Sequence, residues 1–172
     1  MQQGIIEKNH MDILWHDYAL NKEDTIPITK AGLIEKASVV GRCGMMLLSC
    51  GTGAWRVRSS MNTLSRELGI TCTADIGLMS IEYTCFDGEN CFSQSLCLTN
   101  TGVNTSKLNR LENFINDFPT KEKYLSGEQI HSYLDEIERI HCLWGIYLSP
   151  WWRTGRNASC FFRCRYRQLC KM

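Results

Sequence analysis

Gly51-Thr52-Gly53 separates two stretches of helical period, and that break dictates how the chain can pack. Before it, Leu33, Ala37, Val40, Gly44 and Leu47 recur at three- and four-residue steps, which places them on one face of a helix. After it, Val57, Met61, Leu64 and Leu68 do the same. The glycines supply backbone freedom that other residues reach only with strain. Residues 31–70 are therefore expected to form a helical pair with an elbow, against which the rest of the chain packs.

Beyond Leu68 the period changes. Ile70, Cys72, Ala74 and Ile76 alternate with Thr71, Thr73 and Asp75, as a half-buried strand requires. Met79, Ile81, Tyr83 and Cys85 then alternate with Ser80, Glu82 and Thr84, and Phe92, Leu96 and Leu98 follow the turn Asp87-Gly88-Glu89-Asn90. A short glycine-containing link between alternating runs predicts a β-hairpin. Asn104 can cap a further helix whose buried stripe is Leu108, Leu111, Ile115 and Phe118, closed by Pro119. Ser126 with Gln129 three residues on fits a capping box for a last helix lined by Ile130, Leu134, Ile137 and His141. The expected class is α+β: a two-helix elbow, a three-stranded antiparallel sheet with helices on one face, and two more amphipathic helices.

Charge divides the chain. Residues 1–141 hold 13 Lys+Arg against 18 Asp+Glu, a net of −5, whereas residues 142–172 hold six Lys+Arg and no acid, a net of +6. The expected organisation is a polar, solvated arm over residues 1–29, an α+β domain over 30–141 and a basic, Trp- and Cys-rich irregular tail over 142–172. No basic start with an apolar run opens the chain, so no secretory signal is read. With Cys43, Cys50, Cys72 and Cys85 placed inside periodic segments, the ten cysteines read as reduced thiols in a cytosolic setting rather than as a disulfide framework. No stretch approaches the roughly 18 apolar residues of a membrane span.

Residue types that carry chemistry are present without the spacing that chemistry needs. A Ser or Cys nucleophile requires a base within reach, yet the four histidines lie two in the N-terminal arm and two on the last helix, and Asp75 and Glu82 alternate as solvated strand positions do. No catalytic residue is assigned. His10, Asp12, His16 and Asp17 cluster only loosely. His141, Cys142, Cys160, Cys164 and Cys170 are enough ligands for zinc but miss the Cys-x2-Cys knuckle, so neither metal nor cofactor is expected. The tail's arginines interleave with aromatics, a composition that grips phosphates or headgroups, but no nucleic-acid role is expected from it. At the elbow, first-turn amides beside Arg56 could receive a small carboxylate, against the plainer alternative of a simple turn with a surface arginine.

The run Gly44 to Val57, GMMLLSCGTGAWRV, resembles the opening of the bacterial threonine/serine exporter family, in which a helix ending Leu-Leu-x-x-Gly-Ala precedes a second near Tyr-Arg-Val-Glu. Gly102-Val103-Asn104 with Leu108 and Leu111, and Leu125-Ser126-x-x-Gln129 through Ile137, are similar to later segments of that family in the same order. Departures are Trp55 where Tyr is usual and Arg58 where an acid often sits. The resemblance implies a cytosolic N-terminal domain preceding membrane helices at the inner membrane. It further implies export of threonine and serine or, in a similar split-subunit branch, of dicarboxylates such as succinate. Expected partners are those helices or a partner subunit, a small carboxylate ligand, and a second copy of the chain. Candidate ligand contacts are Gly51, Thr52, Gly53, Arg56 and Asn104. The family enters its membrane region after the last helix, whereas here the basic tail follows; Trp151-Trp152 read one base later would begin Gly-Gly, so a truncated or frameshifted product is expected. The rival readings are a soluble hydrolase-like enzyme centred on the elbow and a small anion-binding module that uses the tail.

Overall fold

The computed structural model describes residues 8–9, 13–19 and 26–140. The expectations for His10, Asp12, His141 and the 142–172 tail lie outside them. Eight regular elements follow one another: β1 (Lys8–Asn9), α1 (Leu33–Ser49), α2 (Ala54–Glu67), β2 (Thr71–Ile76), β3 (Ser80–Phe86), β4 (Cys91–Cys97), α3 (Thr105–Asp117) and α4 (Gly127–Glu138). Short 3-10 turns at Trp15–Tyr18, Ile28–Lys30 and Glu122–Tyr124 complete the path. This is the expected α+β mix.

The sheet order is β1-β4-β3-β2. β2, β3 and β4 form an antiparallel meander whose register pairs Cys72 with Cys85 and Cys85 with Phe92, all on the inner face. The outer face carries Thr73, Thr84 and Ser93 in one row and Asp75, Glu82 and Ser95 in the next. Sequence alternation had placed these polar residues outward. β1 adds a short parallel edge to β4, pairing Lys8 with Leu96, which no pattern in the arm announced.

α1 fills the centre. Val39, Val40, Cys43, Met45, Met46 and Leu47 are fully buried, so the helix is covered nearly all round rather than on the single face its period suggested. Sheet, α2, α3 and α4 each take part of its surface. Gly41 lets Tyr83 reach it: a Cβ there would overlap the tyrosine ring and hydroxyl. Gly44 faces the Met61 thioether of α2, 2.7 Å from where a Cβ would stand.

The caps form as the sequence foretells. Asn104 accepts from the Lys107 amide at 3.0 Å, and Ser126 and Gln129 make a reciprocal box at the start of α4. Each satisfies amides that an isolated helix end leaves bare.

Within the arm expected over residues 1–29, the described stretches 13–19 and 26–29 alternate buried and exposed positions. Ile13, Trp15, Ala19 and Ile28 are buried. Tyr83 donates to Gln94 at 2.8 Å, and Gln94 donates on to Tyr18 at 3.1 Å, which ties this stretch to the sheet. The Ile28 amide donates to the Leu125 carbonyl at 2.8 Å. A single buried tryptophan carries no period, so its contribution to the core was invisible beforehand.

Candidate functional site

The elbow is a tight turn. Gly51 adopts φ 76°, in the left-handed region that glycine favours, and its amide donates to the Leu48 carbonyl at 3.0 Å. Gly53 begins α2, its carbonyl accepting from Arg56 at 2.9 Å and Val57 at 3.2 Å. Thr52 is 8% exposed, and its hydroxyl finds no partner among the described residues. Arg56 is half exposed and pairs with Glu112 of α3 at 2.9 Å. Asn104 lies close by, since the Gly102 amide donates to the Ser49 carbonyl at 3.0 Å. Its side chain is engaged twice, accepting from Lys107 and donating to the Ile140 carbonyl at 3.1 Å. The five candidate residues are thus brought to one end of the fold, with Arg56 and Asn104 already bonded within the protein.

A second constellation, missed in the sequence, lies between α1, α4 and the 13–19 stretch. Arg42, 2% exposed in the middle of α1, donates to the His131 carbonyl at 3.0 Å and to Glu138 at 3.0 Å, and forms a short ion pair with Asp135. Its guanidinium lies 5.9 Å from the Trp15 ring centroid. Both nitrogens of His16 face carboxylates, Glu128 at 2.7 Å and Asp135 at 3.1 Å. Only an imidazolium can donate to both. Burial opposes its charge, but its hydrogen bonds to the two carboxylates and their negative charge outweigh that and raise the His16 pKa above 6.5. Burial acts on Asp135 in the same opposing sense, and its bonds to Arg42 and His16 hold its carboxyl below the ordinary range.

His131 is fully buried and behaves oppositely: burial, then the positive charges of Arg42 and His16, push its pKa down to about 3. It is neutral at pH 7. Ser38 Oγ donates to the Glu35 carbonyl at 2.7 Å, leaving it to accept from His131 Nε2 at 3.0 Å. The proton therefore sits on Nε2, and Nδ1 faces Arg42 at 3.4 Å. In a nucleophile–base pair the hydroxyl donates to histidine. Here the polarity is reversed and the pair is sealed from solvent, so Ser38 and His131 build structure.

One cavity adjoins these groups and another lies away from them on the sheet. The first, of about 210 Å³, is lined by Trp15, His16, Arg42, Asp135 and Glu138 among others; with Arg42 already shared between two carboxylates, it has no cation to spare for an anion. The other, about 600 Å³, is an open depression on the hydroxyl-rich outer face of the sheet. Among the described residues no group of three or more His, Cys, Asp or Glu side chains is placed to hold a metal ion. No helix among them is long and apolar enough to cross a membrane.

A family model described as "Putative threonine/serine exporter" matches residues 38–149, more than half of the chain. The chain belongs to the threonine/serine exporter family. No curated protein matches it, and no solved structure does. The family match begins at Ser38, so it takes in Arg42, the elbow, β2 to β4 and α4, and leaves out β1 and the 13–19 stretch.

The exporter-family domain thus holds two polar groupings, of which sequence reasoning found one. A signal for the other existed. Glu128, His131, Asp135 and Glu138 recur at three- and four-residue steps along α4, beside its apolar stripe, and Arg42 is the one charge in the 37–49 stretch of α1. What sequence lacked was the pairing of the two helices.

Proposed function

We propose that residues 30–141 form a cytosolic N-terminal domain of a threonine/serine-exporter-like transporter, accessory or regulatory to export at the bacterial inner membrane. Its partners are membrane-embedded helices or a partner subunit, and the exported solute is a small amino acid or a dicarboxylate. The observation that carries the reading is the family match over 38–149, which spans the elbow, β2 to β4 and the last helix in one ordered block. The reversed Ser38–His131 hydrogen bond weighs against a hydrolase built on that pair. Glu112 already gives Arg56 a carboxylate, so a small carboxylate ligand at the elbow would compete with it at close range.

The test is efflux. Cells preloaded with labelled threonine, serine or succinate are washed, and release is followed with the gene present, deleted and restored. Slower release of at least one solute on deletion, recovered on restoration, is the expected result. Unchanged release of all three would overturn the proposal.

A further inference from the structure

Among the described residues, the three most exposed large apolar side chains are Leu78 (89%), Val103 (78%) and Trp55 (74%). All three stand at one end of the fold. Val103 Cγ2 lies 3.6 Å from where a Cβ on Gly51 would be, and the Trp55 ring sits at the same distance from Gly53. α2 runs antiparallel to β2, with Arg58 Nε donating to the Ala74 carbonyl at 3.1 Å, so the start of α2 and the end of β2 point the same way. Leu78 occupies the turn after β2, and the Leu98 amide ties the 98–103 segment to it through the Met79 carbonyl at 2.8 Å.

The other turn of the meander is of different character. Asp87-Gly88-Glu89-Asn90 is polar, and the Asp87 carboxylate accepts from the Glu89 and Asn90 amides at 3.0 and 2.8 Å. The chain also leaves the described domain at the apolar end, where Asn104 holds the Ile140 carbonyl. The sequence that follows, Leu143-Trp144-Gly145-Ile146-Tyr147-Leu148, is apolar and aromatic and falls within the exporter-family match.

We infer that this end of the domain, through Trp55, Leu78 and Val103, inserts into the interfacial zone of a lipid bilayer. The inference rests on the exporter reading above. Indole rings partition to the headgroup level, and single apolar side chains on two separate loops and a helix start suit a fluid interface better than a protein groove. Neither the cavity of about 210 Å³ nor that of about 600 Å³ is lined by Trp55, Leu78 or Val103. Arg56 and Arg58 follow Trp55 in the chain, while Asp75 and Glu82 sit one ladder position behind the turn, so apolar insertion and not net charge drives the contact.

The experiment uses the whole 172-residue chain with vesicles of phosphatidylcholine alone and of phosphatidylcholine with phosphatidylglycerol, read by hydrogen exchange. Vesicles should slow exchange several-fold at 51–55, 77–79 and 100–103 and leave 87–90 unchanged. Leu78→Ser with Val103→Ser, both at exposed positions, should abolish that slowing, whereas Phe86→Ser near the opposite turn should not. Vesicle binding without slowing at the three loops would overturn the inference. So would slowing that needs no vesicles and grows with protein concentration, which marks a second copy, or slowing seen only with native membranes, which marks a protein partner. Lost efflux on gene deletion with no protection by vesicles sinks this inference alone. Unchanged efflux sinks the exporter reading whatever the vesicles show.

Discussion

Arg42 shows how one residue can organise the polar side of a helix that carries no other charge after Lys36. Its charge is buried while Asp135 and Glu138 keep 31% and 22% of their side-chain surface, so removing it leaves carboxylates that water can partly reach. Arg42→Met should therefore cost about 3 kcal/mol, the low end for a broken buried pair, and Arg42→Met with Asp135→Leu should recover part of it. Urea unfolding of the three proteins checks both. The two histidines beside it act in opposite directions. His16 has a folded pKa above 6.5, so its stabilisation is complete below pH 6.5 and is lost as pH rises through the folded value. His131, lowered to about 3, destabilises as pH falls below 6.5, because the unfolded chain takes up the proton first. Between pH 6 and pH 4 His131 alone should lower stability by about 1.4 kcal/mol per pH unit. His131→Gln should flatten that acid limb, and His16→Gln should remove a loss of stability on the alkaline side. Unfolding midpoints measured from pH 4 to pH 9 decide it; an unaltered acid limb in His131→Gln would contradict the buried neutral imidazole.

At the scale of elements, most boundaries were legible because their signals are local. Asn104, Pro119, Ser126 with Gln129 and the Asp87–Asn90 turn act within a few residues of where they stand, and each does in the structure what its chemistry suggests. The caps are not equivalent, however. Ser126→Ala should cost about 1 kcal/mol, the usual worth of an N-cap. Asn104→Ala also deletes the bond to the Ile140 carbonyl and should cost about 1 kcal/mol more. Equal losses in parallel urea titrations would mean that the tie to Ile140 contributes nothing. β1 and the 3-10 turn at Trp15–Tyr18 were not legible. They are too short to show a period, and their packing is determined by what α1, α4 and β4 leave uncovered.

For the whole molecule the question is how closely layers can approach. Gly41 faces a tyrosine that is 2% exposed and bonded to Gln94, so the ring cannot yield. Gly44 faces a methionine end that can swing aside. Gly41→Ala should therefore cost about 2 kcal/mol and Gly44→Ala less than about 1 kcal/mol. Thermal unfolding separates the two, and equal costs would show that the helix–sheet contact is no tighter than the helix–helix one. The sequence alone determined the helical segments α1 to α4 and the strands β2 to β4, which face of those strands turns inward, where the caps fall and which family the order of motifs resembles. All of that is encoded over a few residues, by period, capping and turn chemistry. Only tertiary structure decided that Arg42 meets His131, Asp135 and Glu138, that Trp15 closes the core, that Glu112 occupies Arg56 and that Trp55, Leu78 and Val103 share one end. Those pairings join residues far apart in the chain, and they exist only once helix crossings and sheet register have fixed which surfaces meet.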